Sequence, residues 1–75
     1  MSAIQRGIRA YTKDGKYLGE VSELRNGLFK LSAPLAVDYW LPESDVEKVE
    51  HGSALLRFGE RDLPQHRMEA GATAD

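Results

Sequence analysis

The sequence predicts an all-β protein: a small antiparallel barrel, partly open, of five to six strands, with one short helical turn near residues 43–48. Three observations predict it. Glycine-centred turn signals recur at Asp14-Gly15, Asn26-Gly27 and His51-Gly52, each suited to the positive backbone angles of a tight hairpin. The runs between them alternate apolar and polar residues, the period of a half-buried strand. The chain has 75 residues and no cysteine, which is one domain's worth of core and no disulfide framework. The stretch from Asp38 to Phe58 organises the rest, because there the aromatic run Tyr39-Trp40-Leu41 meets Pro42, an acidic turn and the last hairpin.

The first strand runs from Ile4 to Tyr11, with Ile4, Ile8 and Ala10 on one side and Gln5, Arg9 and Tyr11 on the other. With Asp14-Gly15 as a two-residue type I′ loop, Arg9 faces Glu20 and Ile8 faces Val21, so charge meets charge and apolar meets apolar. The same register sets Leu18 beside Tyr11 on the outer face. A bulge at Gly19 would turn Leu18 and Val21 inward together and bend the strand as a small barrel requires; the alternative is an exposed apolar patch around Tyr11 and Leu18. Asn26-Gly27 closes a second hairpin between Tyr17–Leu24 and Leu28–Ser32, pairing Glu23 with Lys30 and Leu24 with Phe29, with Phe29 and Leu31 in the core.

Residues 33–37, Ala-Pro-Leu-Ala-Val, are too apolar for a solvated loop and are expected to pack across one end of the barrel. The fourth strand spans Asp38 to Leu41 and stops at Pro42, which has no N–H to donate to a ladder. Behind it, Val46 and Val49 lie three apart among carboxylates, the pattern of a single 3₁₀ or α turn. Val49 and Glu50 become extended, His51-Gly52 turns, and Ala54, Leu56 and Phe58 alternate inward in the final strand. The barrel is expected to occupy residues 1–59. Residues 60–75 read as a C-terminal tail, with a short helix over 63–69 and a disordered end.

Net charge is −2 and divides unevenly. Residues 1–37 carry six Lys/Arg against three Asp/Glu, and residues 38–75 carry four against nine. Such a dipolar surface can steer a partner or dock two copies head to tail, but it lacks the dense basic field of a nucleic-acid binder. No leader-like or membrane-spanning run occurs, so a soluble, cytoplasmic protein is the expectation. His51 and His66 fall in a turn and in the tail, and both read as solvated. The carboxylates Glu43, Asp45, Glu47 and Glu50 lack the spaced oxygen ligands and glycine of a calcium loop. No serine has a nucleophile-elbow setting and no glycine-rich loop cradles a phosphate. The expectation is no catalysis, no metal and no cofactor.

Gly7-Ile8, the run Asp14-Gly15-Lys16-Tyr17-Leu18-Gly19-Glu20-Val21, and Tyr39-Trp40-Leu41-Pro42-Glu43-Ser44-Asp45-Val46 before a closing hairpin resemble the PRC-barrel family and its small stand-alone members. The resemblance covers about residues 4–58. It implies a partly open, SH3-like barrel and an adaptor role, as in the domain of the photosynthetic reaction centre H subunit and the C-terminal half of a ribosome maturation factor. The chain carries neither the membrane helix of the first nor the second barrel of the second.

A domain this small buries only about 60% of its unfolded surface, and with disulfides excluded, association is the remaining source of extra stability. The functional expectation is a non-catalytic protein–protein interaction module, self-associating as a dimer or larger homo-oligomer or binding a protein partner. Its candidate surface is Tyr11, Leu18, Tyr39 and Trp40. The alternative is an accessory of RNA or ribosome assembly that stacks bases on Tyr11, Tyr17, Tyr39 and Trp40 beside Arg9, Lys16 and Arg25. A third reading is a peptide groove of the SH3 type formed by the same aromatics.

Overall fold

In the computed structural model, which describes residues 4–34 and 36–69, the turn chemistry sets the ladder. Strands β1 (Arg9–Tyr11), β2 (Tyr17–Arg25), β3 (Leu28–Ser32), β4 (Tyr39–Pro42), β5 (Val46–Glu50), β6 (Ser53–Leu56) and β7 (Met68–Glu69) form one sheet. Its order is β5-β6-β1-β2-β3-β4-β7, curled into a half-barrel. Asn26 and Gly27 both take positive φ (48° and 81°), as do His51 and Gly52 (55° and 75°). These are the two-residue primed turns that match the twist of their strands. Glu23 accordingly pairs with Lys30, Leu24 with Phe29 and Arg9 with Glu20, as the sequence predicts.

One pairing departs from the antiparallel expectation. β1 lies parallel to β6, Arg9 beside Ser53, Ala10 beside Ala54 and Tyr11 beside Leu55, so the sheet is mixed. The Arg9 N–H donates to the Gly52 carbonyl at 3.2 Å at the start of this contact.

The first hairpin also differs. Thr12 N–H donates to the Lys16 carbonyl and Gly15 N–H to the Thr12 carbonyl, both at 2.9 Å, so the loop is Lys13-Asp14-Gly15, with only Gly15 at positive φ. The reason is Thr12, which is fully buried. Its hydroxyl donates to the Asp14 carboxylate and accepts the Lys16 N–H, which widens the turn. Asp14 also accepts the Glu60 N–H at 3.3 Å and so ties this hairpin to the chain leaving β6. The hydrogen bond from Thr12 is the main cause holding the Asp14 carboxyl below its ordinary range.

Three bulges curve the sheet. The first leaves Leu18 unpaired between Tyr11↔Tyr17 and Ala10↔Gly19, and Leu18 packs against the core, as the Gly19 bulge anticipates. The second leaves Ser22 unpaired. The third leaves Glu47 unpaired between Val46↔Leu56 and Lys48↔Leu55, so Val46 and Val49, three apart, both reach the core. The spacing that reads as a helical turn over 43–48 is therefore achieved by a bulged strand, and the 3₁₀ turn is confined to Glu43–Asp45.

The core is Ile4, Ala10, Val21, Phe29, Leu31, Tyr39, Leu41, Ala54, Leu56 and Phe58. The stretch expected to pack across the barrel end, residues 33–37, departs from that: Pro34, Ala36 and Val37 are exposed, and Leu35 lies outside the described residues. β4 includes Pro42, and the Glu43 N–H beyond it donates to the Gly27 carbonyl. Residues 60–69 lie on the barrel. A 3₁₀ turn (Glu60–Asp62) leads into α1 (Leu63–His66), shorter than the helix expected over 63–69, because Met68 and Glu69 pair with β4 as β7. The end expected to be disordered, residues 70–75, lies outside the described residues. No helix among the described residues is long and apolar enough to cross a membrane.

Candidate interaction face

Strand alternation puts Ala10 in the core and Arg9 and Tyr11 outside, and the ladders on either side extend these positions into two rows across four strands. One row is Tyr17–Tyr11–Leu55–Lys48, the other Glu20–Arg9–Ser53–Glu50. The first is apolar over three strands. Tyr17 is 47% exposed, and its ring lies 5.5 Å from that of Tyr11, tilted by 54°, a favourable aromatic geometry. Beside Tyr11 runs a shallow groove of about 340 Å³, lined by Tyr11, Ser53, Ala54 and Leu55, by Lys48 and Glu50 of β5, and by Gly15 and His51 of the adjoining turns. Lys48 and Glu50 pair at 3.6 Å, so the groove carries both signs of charge.

The four residues singled out in the sequence do not converge. Tyr11 lines the groove, whereas Leu18 turns to the core. Tyr39 is 6% exposed in the core, where burial raises its phenol above the ordinary range and Arg67, 5.6 Å from the ring, partly opposes this. Trp40 is 7% exposed, on the other half of the outer surface, in the row Glu23–Lys30–Trp40–Met68. The Arg25 guanidinium lies 5.3 Å and the Lys30 ammonium 5.6 Å from its ring centroid, and Leu28 and Met68 complete a pocket of about 190 Å³. Both cations are shared with Glu23, at 2.8 Å and 3.2 Å. Sequence reasoning missed Leu55, and named Tyr17 only among the aromatics of the RNA and peptide-groove alternatives. Tyr17 takes the place beside Tyr11 only because of the bulge, and Leu55 arrives through the parallel pair, for which no local signal exists.

Hydrogen bonding from Lys30, then Arg25, holds the Glu23 carboxyl below its ordinary range. A carboxyl depressed in the folded state adds stability above its unfolded pKa, and that contribution disappears as pH falls through the folded value. The thermal midpoint should therefore fall on acidification below about pH 4.3, the ordinary glutamate value. Glu23→Gln should make that acid limb shallower in a pH series of melting curves, and an unchanged limb would contradict this assignment.

His66 is not a solvated tail residue. Its ring stacks on Phe58, centroids 4.0 Å apart and 9° from parallel, and its Nδ1 lies 3.0 Å from the Asp45 carboxylate. This fastens α1 against the chain between β4 and β5. His51 stays solvated at the turn. No group of three or more metal-ligating side chains occurs among the described residues.

Comparison with known proteins finds no matching family model, no similar curated protein and no similar solved structure.

Proposed function

We propose that this chain is a non-catalytic protein–protein interaction module of the PRC-barrel type, and that it associates with itself through the outer face of β1, β2, β5 and β6. The observation that carries the reading is the row Tyr17–Tyr11–Leu55 beside an open groove. A barrel with Phe29, Leu31, Leu41 and Leu56 fully buried has no need of two more rings and a leucine on its solvent face. Aromatic rings rimmed by mixed charge are the composition of an interface centre. The RNA alternative is less favoured, because two of its three cations are already paired, Arg25 with Glu23 at 2.8 Å and Lys16 with Glu60 at 3.9 Å, whereas phosphate binding draws on unpaired cations.

Sedimentation velocity from micromolar to millimolar concentration tests the reading. A reversible, concentration-dependent shift to a larger species is expected, and a strictly monomeric chain at millimolar concentration would remove self-association.

A further inference from the structure

We propose that two copies of this chain pack face to face through the outer side of β1 and β2, related by a two-fold axis that runs along these strands midway between them. This rests on the self-association reading above and names the surface each copy presents. Four outward side chains decide it. β1 carries Arg9 and Tyr11, and across the ladder β2 sets Glu20 opposite Arg9 and Tyr17 opposite Tyr11. Tyr17 and Glu20 are three apart, and both face out because the bulge at Leu18 absorbs the extra residue. The result is a square with two rings at one level and two opposite charges at the other.

A half-turn about that axis exchanges β1 with β2 at each level. Tyr11 of each copy then lies on Tyr17 of the other, and Arg9 of each on Glu20 of the other, so the surface is complementary to itself and the contact closes at two copies. The charges are available for this. Arg9 and Glu20 are exposed, and although the ladder sets them opposite one another, neither enters an ion pair among the described residues. Lys48 and Glu50, the other charges of the two rows, are already paired with each other. The half-exposed Tyr17 and its tilted neighbour Tyr11 supply the aromatic centre that interfaces favour. Neighbouring arrangements lack this match. An axis one strand over, between β1 and β6, sets Glu20 on Glu50, and an axis across the strands lays Glu20 on Tyr17. Like-charge repulsion and a carboxylate against a ring face disfavour both.

Charge reversal reads contacts between copies rather than within one. Arg9→Glu and Glu20→Arg should each weaken dimerisation roughly tenfold in sedimentation velocity, with the fold of the dilute monomer retained in its far-UV circular dichroism. An equimolar mixture of the two variant chains should recover the association that each has lost, because opposite charges then meet only across the interface. Mixing Arg9→Glu with Glu50→Arg, which makes the same change of net charge elsewhere on the face, should recover none. Tyr17→Ala should weaken dimerisation roughly tenfold or more. If the unmodified chain associates but Tyr17→Ala is neutral, or the first mixture recovers no more than the Glu50→Arg control, another surface makes the contact and this arrangement is overturned. A ladder of species larger than a dimer would overturn it as well. If the unmodified chain is monomeric throughout, the self-association reading itself falls.

Discussion

Phe29→Ala should leave the chain largely unfolded at room temperature. The Phe29 ring is fully buried, pairs across the ladder with Leu41, and belongs to the cluster that joins both halves of the sheet. Truncating a buried phenylalanine costs about 3–5 kcal/mol, as lost transfer energy plus the cavity left behind. A domain of this size holds only about 3–5 kcal/mol in total, so the single change removes most of the margin. Far-UV circular dichroism and amide dispersion in a proton NMR spectrum read the outcome. Tyr17→Ala is the matched control, since its half-exposed ring lies outside the core and its loss should cost well under about 1 kcal/mol in the monomer. Equal urea midpoints for the two variants would place the core elsewhere.

Gly19→Ala should be nearly as severe, for a different reason. A Cβ there would lie 2.6 Å from the Ser32 carbonyl oxygen and 3.0 Å from its carbon. Both are backbone atoms of the neighbouring strand, and they cannot swing aside as a side chain would. The φ of +145° adds conformational strain for any L side chain. Strain and overpacking together amount to roughly 2–4 kcal/mol. At roughly 4–8 °C per kcal/mol for a domain this small, the melting temperature should drop by at least about 8 °C. Gly27→Ala separates the two causes: it has positive φ (+81°) but nothing within 4 Å of the added carbon, and should cost about 1 kcal/mol. If both substitutions cost the same, the close approach of β2 to β3 is not what demands glycine at position 19.

The hairpins are legible in the sequence because their causes are local. Asn26-Gly27 takes positive φ at two neighbouring positions, and the pairing of Glu23 with Lys30 follows by counting from the turn. The Leu18 bulge can be inferred, because the only alternative exposes a leucine. The widened first turn is harder to read, since it depends on whether the Thr12 hydroxyl is buried, and the primed-turn signal of Asp14-Gly15 says nothing of that. Val46 and Val49 show how one spacing serves two structures: a helical turn and a bulged strand both bring residues three apart to one side, and periodicity alone cannot separate them. The candidate face was half visible. Tyr11 could be placed outside from its own strand. Its neighbours Tyr17 and Leu55 depend on a bulge and on a parallel contact between segments more than forty residues apart. Trp40 and His66 are misread for a related reason, because each is covered by residues distant in the chain: Met68 and Arg25 for the indole, and Phe58 and Asp45 for the imidazole.

The place of β1 between β2 and β6 also has a kinetic meaning. Synthesis delivers the hairpins β1–β2 and β2–β3 early, yet the far side of β1 has no neighbour until residues 53–56 exist. A nascent chain halted before that point would hold a short meander with an unsatisfied flank and half an apolar interior, the state most prone to pair with the wrong strand. Completion is thus held back by closure of a long segment rather than by the quick turns, and the barrel should form in the slower range typical of non-local β topologies.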